Sequence, residues 1–186
     1  MSQRSNPRLV ARLRAGVTVG SAVQLLTFEL SGRRFALAAG VVREVTRTVA
    51  LASLPHAPPI VEGVINFRGT LVPVLDIRQR FGLPSRPLTL DQHLIIAHTE
   101  CRLVALRVDR ALDLVVVDED AIEAAAPQVP GVKYVSGIAK LADGLLVIHD
   151  LEGFLSFDEA RDVDAAVAVA GATAPEEPAL LHTVPQ

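Results

Sequence analysis

The chain has 186 residues, of which 50% are hydrophobic, 21% charged and 4% aromatic, with a formal net charge of −3. This suits one domain, or two small lobes sharing a core, and is too apolar for a disordered chain. No apolar run reaches the ~18–20 residues of a membrane-spanning helix, the mild acidity argues against a general nucleic-acid binder, and a single cysteine, Cys101, excludes an internal disulfide framework or a thiolate zinc cluster and fits a reducing compartment.

Taken in chain order, residues 1–21 carry Arg4, Arg8, Arg12 and Arg14 without an acid. Pro7 and Gly16 interrupt any long helix and no apolar segment precedes a cleavage site, so this is read as a flexible basic tail rather than a targeting signal. From residue 22 the chain becomes a run of short strands. Residues 22–30 alternate, break at Ser31-Gly32 and resume at 35–37 as a hairpin. Further strands are expected at 41–45, 49–54, 60–65 and 71–75, the last two flanking Asn66-Phe67-Arg68-Gly69, a turn signature. Others follow at 90–97, 103–108, 112–117, 134–141 and 145–148, the last pair around a second turn at Ala142-Asp143-Gly144. Asp76 and the Ser156-x-x-Glu159 capping box open short helical pieces. The second leads into a helix over 159–170, with Ala160, Val163, Val167 and Ala170 on one face. Residues 171–186, with three prolines, Glu176 and Glu177 and no Lys or Arg, read as a flexible acidic tail.

An internal repeat shapes the fold. Residues 63–77 superpose on 137–151 at a constant offset of 74, matching Gly63 with Gly137, Val74 with Ile148 and Asp76 with Asp150. Each copy is strand, turn, strand and Asp-capped helical turn. Neither copy is large enough for a core of its own, so the two are expected to form a pseudo-symmetric pair of small barrels.

Catalytic and metal chemistry find little support. The five histidines, His56, His93, His98, His149 and His182, offer no three-ligand spacing. No G-x-S-x-G elbow, Walker A loop or G-x-G-x-x-G fingerprint is present. His149-Asp150 is the one acid–base pairing by sequence, and it also reads as a strand-end histidine beside a capping aspartate. The feature that looks functional is the Asn66–Gly69 turn, which holds Arg68 between two Val/Ile/Leu-rich strands. Arginine's planar fork of donors suits an interface. A second candidate is 41–45, where simple alternation puts Val42 and Glu44 on one face.

Residues 58–78, centred on Gly63-Val64-Ile65-Asn66-Phe67-Arg68-Gly69-Thr70-Leu71-Val72-Pro73-Val74-Leu75-Asp76, resemble the central signature of CheW-like domains. So do 28–45 with Phe35-Ala36-Leu37 and Val42-Arg43-Glu44-Val45, and, downstream, Leu106-Arg107-Val108-Asp109 and Tyr134 to Leu151, which match that family's second-barrel strands. The resemblance covers residues 22–158. It implies a mainly β fold of two five-stranded SH3-like barrels with a C-terminal helix. It also implies a non-catalytic adaptor, without cofactor or metal, that couples methyl-accepting chemoreceptors to a CheA-type histidine kinase. Such a protein would be cytoplasmic and recruited to membrane receptor arrays. By the same resemblance Arg68 is the coupling arginine, Val42 and Glu44 lie on a receptor-contact strand, and Ala111 and Leu114 lie on a second-barrel segment facing the receptor. Gly63, Asn66 and Gly69 shape the turn. Alternatives are an adaptor of a sister pathway controlling pili or development, a small-molecule sensor with a cavity between the barrels, and an enzyme using His149 and Asp150.

Overall fold

A computed structural model describes residues 22–124, 134–141 and 144–173. The basic tail expected over 1–21, residues 174–186 of the acidic tail expected over 171–186 (His182 among them), and Ala142 and Asp143 of the second turn lie outside the described residues, while 171–173 form the last turn of the helix instead of a tail. Among the described residues eleven strands and one α-helix follow in order: β1 (Ala22–Leu30), β2 (Arg33–Ala38), β3 (Val42–Arg47), β4 (Val61–Phe67), β5 (Thr70–Leu75), β6 (His93–His98), β7 (Leu103–Val108), β8 (Arg110–Asp118), β9 (Ile122–Ala124), β10 (Val135–Leu141), β11 (Gly144–His149) and α1 (Phe157–Thr173). They form a five-stranded sheet, β3-β6-β7-β5-β4, and a six-stranded sheet, β8-β1-β2-β11-β10-β9.

The repeat is present, and its halves are interleaved. The hairpin β1–β2 lies against β11, β10 and β8, all from the second half, while its counterpart β6–β7 lies against β5, β4 and β3 from the first. The junctions are four: the parallel pairings of β2 with β11 and β5 with β7, and the antiparallel pairings of β1 with β8 and β3 with β6. This corrects one expectation: Leu106-Arg107-Val108 is strand β7 in the same sheet as the Arg68 turn, because each hairpin crosses to complete the other half's sheet. The strand expected at 49–54 is also reduced to a single bridge, Ala52 to Val64, with both N–H···O bonds at 2.9 Å. Its counterpart in the other half is the three-residue β9, which pairs with β10.

Those two short partners explain the repeated glycine. Gly63 sits within β4, opposite Val74 at a bulge, and a Cβ built on it would stand 2.5 Å from the Ala52 carbonyl oxygen. A Cβ on Gly137 would stand 2.9 Å from Ile122 Cγ2 and 3.0 Å from the Glu123 oxygen. Gly63 therefore does not shape the turn, as expected from sequence; it admits a crossing chain.

Three apolar layers hold the assembly. Val23, Leu25, Ala36, Ala139, Leu146 and Ile148 fill the six-stranded sheet's concave side. Ile65, Val72, Val74, Leu94, Ile96 and Ala105 fill the other. The largest cluster, including Phe28, Phe35, Leu37, Leu75, Ile95, Leu106 and Phe154, combines residues of both sheets. Aromatic residues are scarce, yet five of the seven meet here in a chain of ring contacts: Phe28 on Phe35 (5.8 Å), Phe35 on Phe81 (4.8 Å), Phe81 on Phe154 (5.8 Å) and Tyr134 on Phe154 (6.2 Å). Each such side chain, fully buried, contributes about 1.5–3 kcal/mol.

Asp76 and Asp150 cap equivalent turns, accepting the amide hydrogens of Arg78 (3.1 Å) and Glu152 (3.2 Å). Both turns are 3₁₀ rather than α-helical, Ile77–Phe81 and Leu151–Phe154. The first carries an ionic cluster. Arg78 and Arg107 are fully buried: Arg78 reaches Asp76 (3.1 Å) and Asp109 (2.5 Å), and Arg107 reaches Asp76 (2.7 Å) and Glu62 (2.5 Å). Arg107 also donates to the carbonyls of Arg86 (3.0 Å) and Pro87 (3.2 Å). That fixes the connection between the two halves in place. Helix α1 buries Val163 and Ala166, the latter grouped with Leu54 and Val64, with Val167 and Ala170 at the margin.

Candidate functional site

The turn between β4 and β5 is a two-residue loop, Arg68-Gly69, because Phe67 pairs directly with Thr70. Both loop residues have positive φ, 53° and 85°, the combination of a type I′ hairpin, whose twist matches the flanking strands. Asn66 Oδ1 accepts the Gly69 amide hydrogen at 2.9 Å. Glycine or asparagine would occupy the first loop position with little strain, whereas arginine pays a steric penalty there. The loop thus holds a cation in a conformation that folding alone does not favour.

Strand β3 supplies the neighbour. The regular alternation expected of Val42 and Glu44 is broken by a bulge: Val42 pairs with Ala97, and Glu44 with Ile96. Val42 packs against the cluster shared by the two sheets, while Glu44 is carried toward the Arg68 guanidinium, which donates to its carboxylate. The ion pair spans the two edge strands of the five-stranded sheet, β3 and β4. Beneath it runs a groove of about 280 Å³ whose lining includes Thr46, Val64, Ile65, Phe67 and Ile96. Arg68 also stacks over the Phe67 ring, 4.9 Å from its centroid. With 65% of the Arg68 side chain exposed, the pair is solvent-screened and contributes little to stability. Its guanidinium remains accessible to a partner.

The other expected contact residues fall elsewhere. Ala111 is half-buried against the shared cluster, at the start of β8. Leu114 protrudes from the same strand with 65% exposure, joined by Val116 at 64%. Among the described strands β8 is an edge, paired only to β1, so its outer backbone and these two apolar side chains form a second exposed surface. Val116 was not singled out in the sequence, although its i, i+2 spacing from Leu114 was the available signal.

The catalytic alternative does not assemble. His149 lies against Phe35, Phe81 and Phe154, and its Nδ1 is 2.8 Å from the Tyr134 carbonyl. Burial pushes its pKa down to about 4, so it is neutral at physiological pH. Asp150 serves as a cap. Among the described residues no group of three or more His, Cys, Asp or Glu side chains could hold a metal ion, and no helix is long and apolar enough to cross a membrane. The space between the two barrels, where a sensor would need a cavity, contains the aromatic chain from Phe28 to Phe154.

Two small barrels with a shared core, offering an arginine turn and an apolar edge, define a scaffold that works through surfaces. Residues 24–159 match the model of the CheW-like domain, and the chain belongs to that family. It is 30% identical to the chemotaxis protein CheW of Bacillus subtilis over 140 residues, covering 74% of this chain and 90% of that one. To the CheW of Rhizobium meliloti it is 32% identical over 100 residues, 54% of this chain and 64% of the relative. The scaffolding protein TtCheW from Thermoanaerobacter tengcongensis superposes with a TM-score of 0.67 at 30% identity, covering 73% of this chain and 94% of that one. The comparisons place this chain with chemotaxis scaffolds, a non-catalytic family.

Proposed function

We propose that this chain couples methyl-accepting chemoreceptors to a CheA-type histidine kinase, with the Arg68–Glu44 pair as the coupling contact. The observation that carries the residue assignment is the arginine at the first position of a type I′ turn. A cation is kept, exposed and oriented by Glu44, where glycine or asparagine would serve the fold better. Val42 lies on the same edge strand, and Leu114 with Val116 on β8 provides an apolar surface for a second partner, Ala111 lying half-buried at the start of that strand. Surfaces with one charged anchor and apolar neighbours suit transient interfaces of about 1,000–1,600 Å². The chain then acts in the cytoplasm, recruited to receptor arrays through these contacts and needing no cofactor.

Arg68→Gly is the discriminating variant. Glycine accepts the positive φ, so the variant is expected to be about 1 kcal/mol more stable than the parent. In reconstituted arrays of receptor, kinase and scaffold it is expected to abolish receptor control of the kinase. Retained control in the folded variant would remove Arg68 from the coupling surface.

A further inference from the structure

Strand β8 spans nine residues, with Arg110 at one end and Asp118 at the other. Both are exposed, and between them Leu114 and Val116 protrude. Among the described strands β8 pairs only with β1. The strand carries neither lysine nor proline, two of the residues that keep sheet edges from pairing with another chain.

The bonds on the β1 side fix which backbone groups face outward. The Asp113 amide donates to Thr27 Oγ1 at 3.1 Å, and the same hydroxyl donates to the Asp113 carbonyl at 2.9 Å. Both backbone groups of Asp113 therefore point toward β1, and by alternation those of Leu114 and Val116 point away from it. The charges then choose a register for an antiparallel copy. With a two-fold axis through Leu114, Leu114 faces its own copy, Leu112 faces Val116, and Arg110 faces Asp118 at both ends of the ladder. An axis through Val116 would set Leu114 against Asp118, and one through Val115 would set Leu112 against Asp118. Of the three, the register about Leu114 alone joins opposite charges and keeps apolar side chains together.

We propose that the partner of the β8 edge is a second copy of this chain, paired antiparallel about Leu114 so that two six-stranded sheets join edge to edge. The contact is isologous: it uses the same edge on both copies and closes on itself instead of propagating. A ladder this short lies at the small end of specific interfaces, so the dimer exchanges with monomer and depends on concentration. The proposal rests on the reading of β8 as a partner surface. It makes no use of the Arg68–Glu44 pair, which lies on the other sheet, so the array test of Arg68→Gly and the test of the dimer fail independently.

The test uses the full chain with Cys101→Ser, carrying either Leu114→Cys or Val116→Cys, under mild oxidation. Hydrogen-bonded antiparallel partners have Cα atoms about 5.5 Å apart, within the ~4.4–6.8 Å that a disulfide spans. Val116 would stand four positions, roughly 13 Å, from its own copy. Leu114→Cys is therefore expected to cross-link at least about tenfold faster than Val116→Cys. Equal rates, or no cross-link from either, would overturn the pairing. Charge exchange supplies a second reading in the Leu114→Cys background. Arg110→Asp and Asp118→Arg, each first shown to be folded by circular dichroism, are expected to slow cross-linking when alone and to restore it when mixed, since the mixed pair matches charges at both ends. Mixing without recovery would overturn the register. In sedimentation equilibrium the parent is expected to rise from monomer toward dimer mass with concentration, and Leu114→Asp to remain monomeric. A parent that stays monomeric throughout overturns the dimer, and if Leu114→Asp then loses binding to nanodiscs holding a methyl-accepting chemoreceptor, the β8 edge belongs to the receptor instead.

Discussion

Arg78 and Arg107 bury two full charges beside Asp76, Asp109 and Glu62. Such clusters hold only while every member is matched, since an orphaned buried charge costs about 3–5 kcal/mol. Asp109 shows the balance. Burial raises its pKa, but the Ser31 amide at 2.6 Å and the Arg78 guanidinium at 2.5 Å outweigh that effect, leaving it below the ordinary 3.8. A carboxyl with a lower pKa folded than unfolded adds stability that is complete above 3.8 and is lost as the pH falls through the folded value. Glu62 has the opposite sign: burial outweighs Arg107 and holds it above 4.5, so its contribution is present below 4.5 and fades as the pH rises through the folded value. Urea unfolding at a series of pH values is expected to show Asp109→Asn destabilised at pH 7, with a flatter loss of stability than the parent as the pH falls below 3.8. An unchanged acid limb would show that Asp109 does not carry this dependence.

Helix α1 is held by its first turn as much as by its apolar face. The Ser156 amide donates to Glu159 Oε2 at 2.8 Å, and the Glu159 amide donates to Ser156 Oγ at 3.3 Å, the reciprocal pair of a capping box. The spacing Ser156-x-x-Glu159 made this legible in the sequence, as did the face of Val163 and Val167. What it could not reveal is that Arg80, 79 positions earlier, donates to both Glu159 oxygens at 2.6 Å and to the Phe154 carbonyl at 3.0 Å. Local spacing encodes local hydrogen bonds; a partner that remote follows only from the packing. Glu159→Ala removes its half of the capping box together with the docking bond, whereas Ser156→Ala removes only the other half of the box. The expected losses are about 2 kcal/mol and about 1 kcal/mol in thermal unfolding. Equal losses would mean that Arg80 adds nothing to the attachment of α1.

At the scale of the whole molecule, the repeat and the β character were readable because glycine, aspartate and apolar alternation recur at fixed positions, and the turn at Arg68 because Asn and Gly bracket it. The interleaving was not readable. Strand alternation specifies which face is buried but not which neighbour a hairpin joins, so β7 was assigned to the wrong barrel and the bulge at β3 separated Val42 from Glu44. Interleaving has a mechanical consequence, because neither half contains a complete sheet. The first half would expose β1–β2 without β8, β10 and β11, and β3–β5 without β6–β7; the second would leave the reciprocal edges open. A chain cut between Pro84 and Ser85, ahead of the carbonyls that Arg107 holds, is therefore expected to give two fragments, 1–84 and 85–186, each without cooperative unfolding by circular dichroism. Mixed at equal concentration they are expected to recover a β spectrum and a cooperative transition whose midpoint rises with concentration, since the closed loop becomes a bimolecular association. Either fragment folding alone would mean that one barrel is stable without its exchanged hairpin, and that the shared cluster from Phe28 to Phe154 joins two independent units.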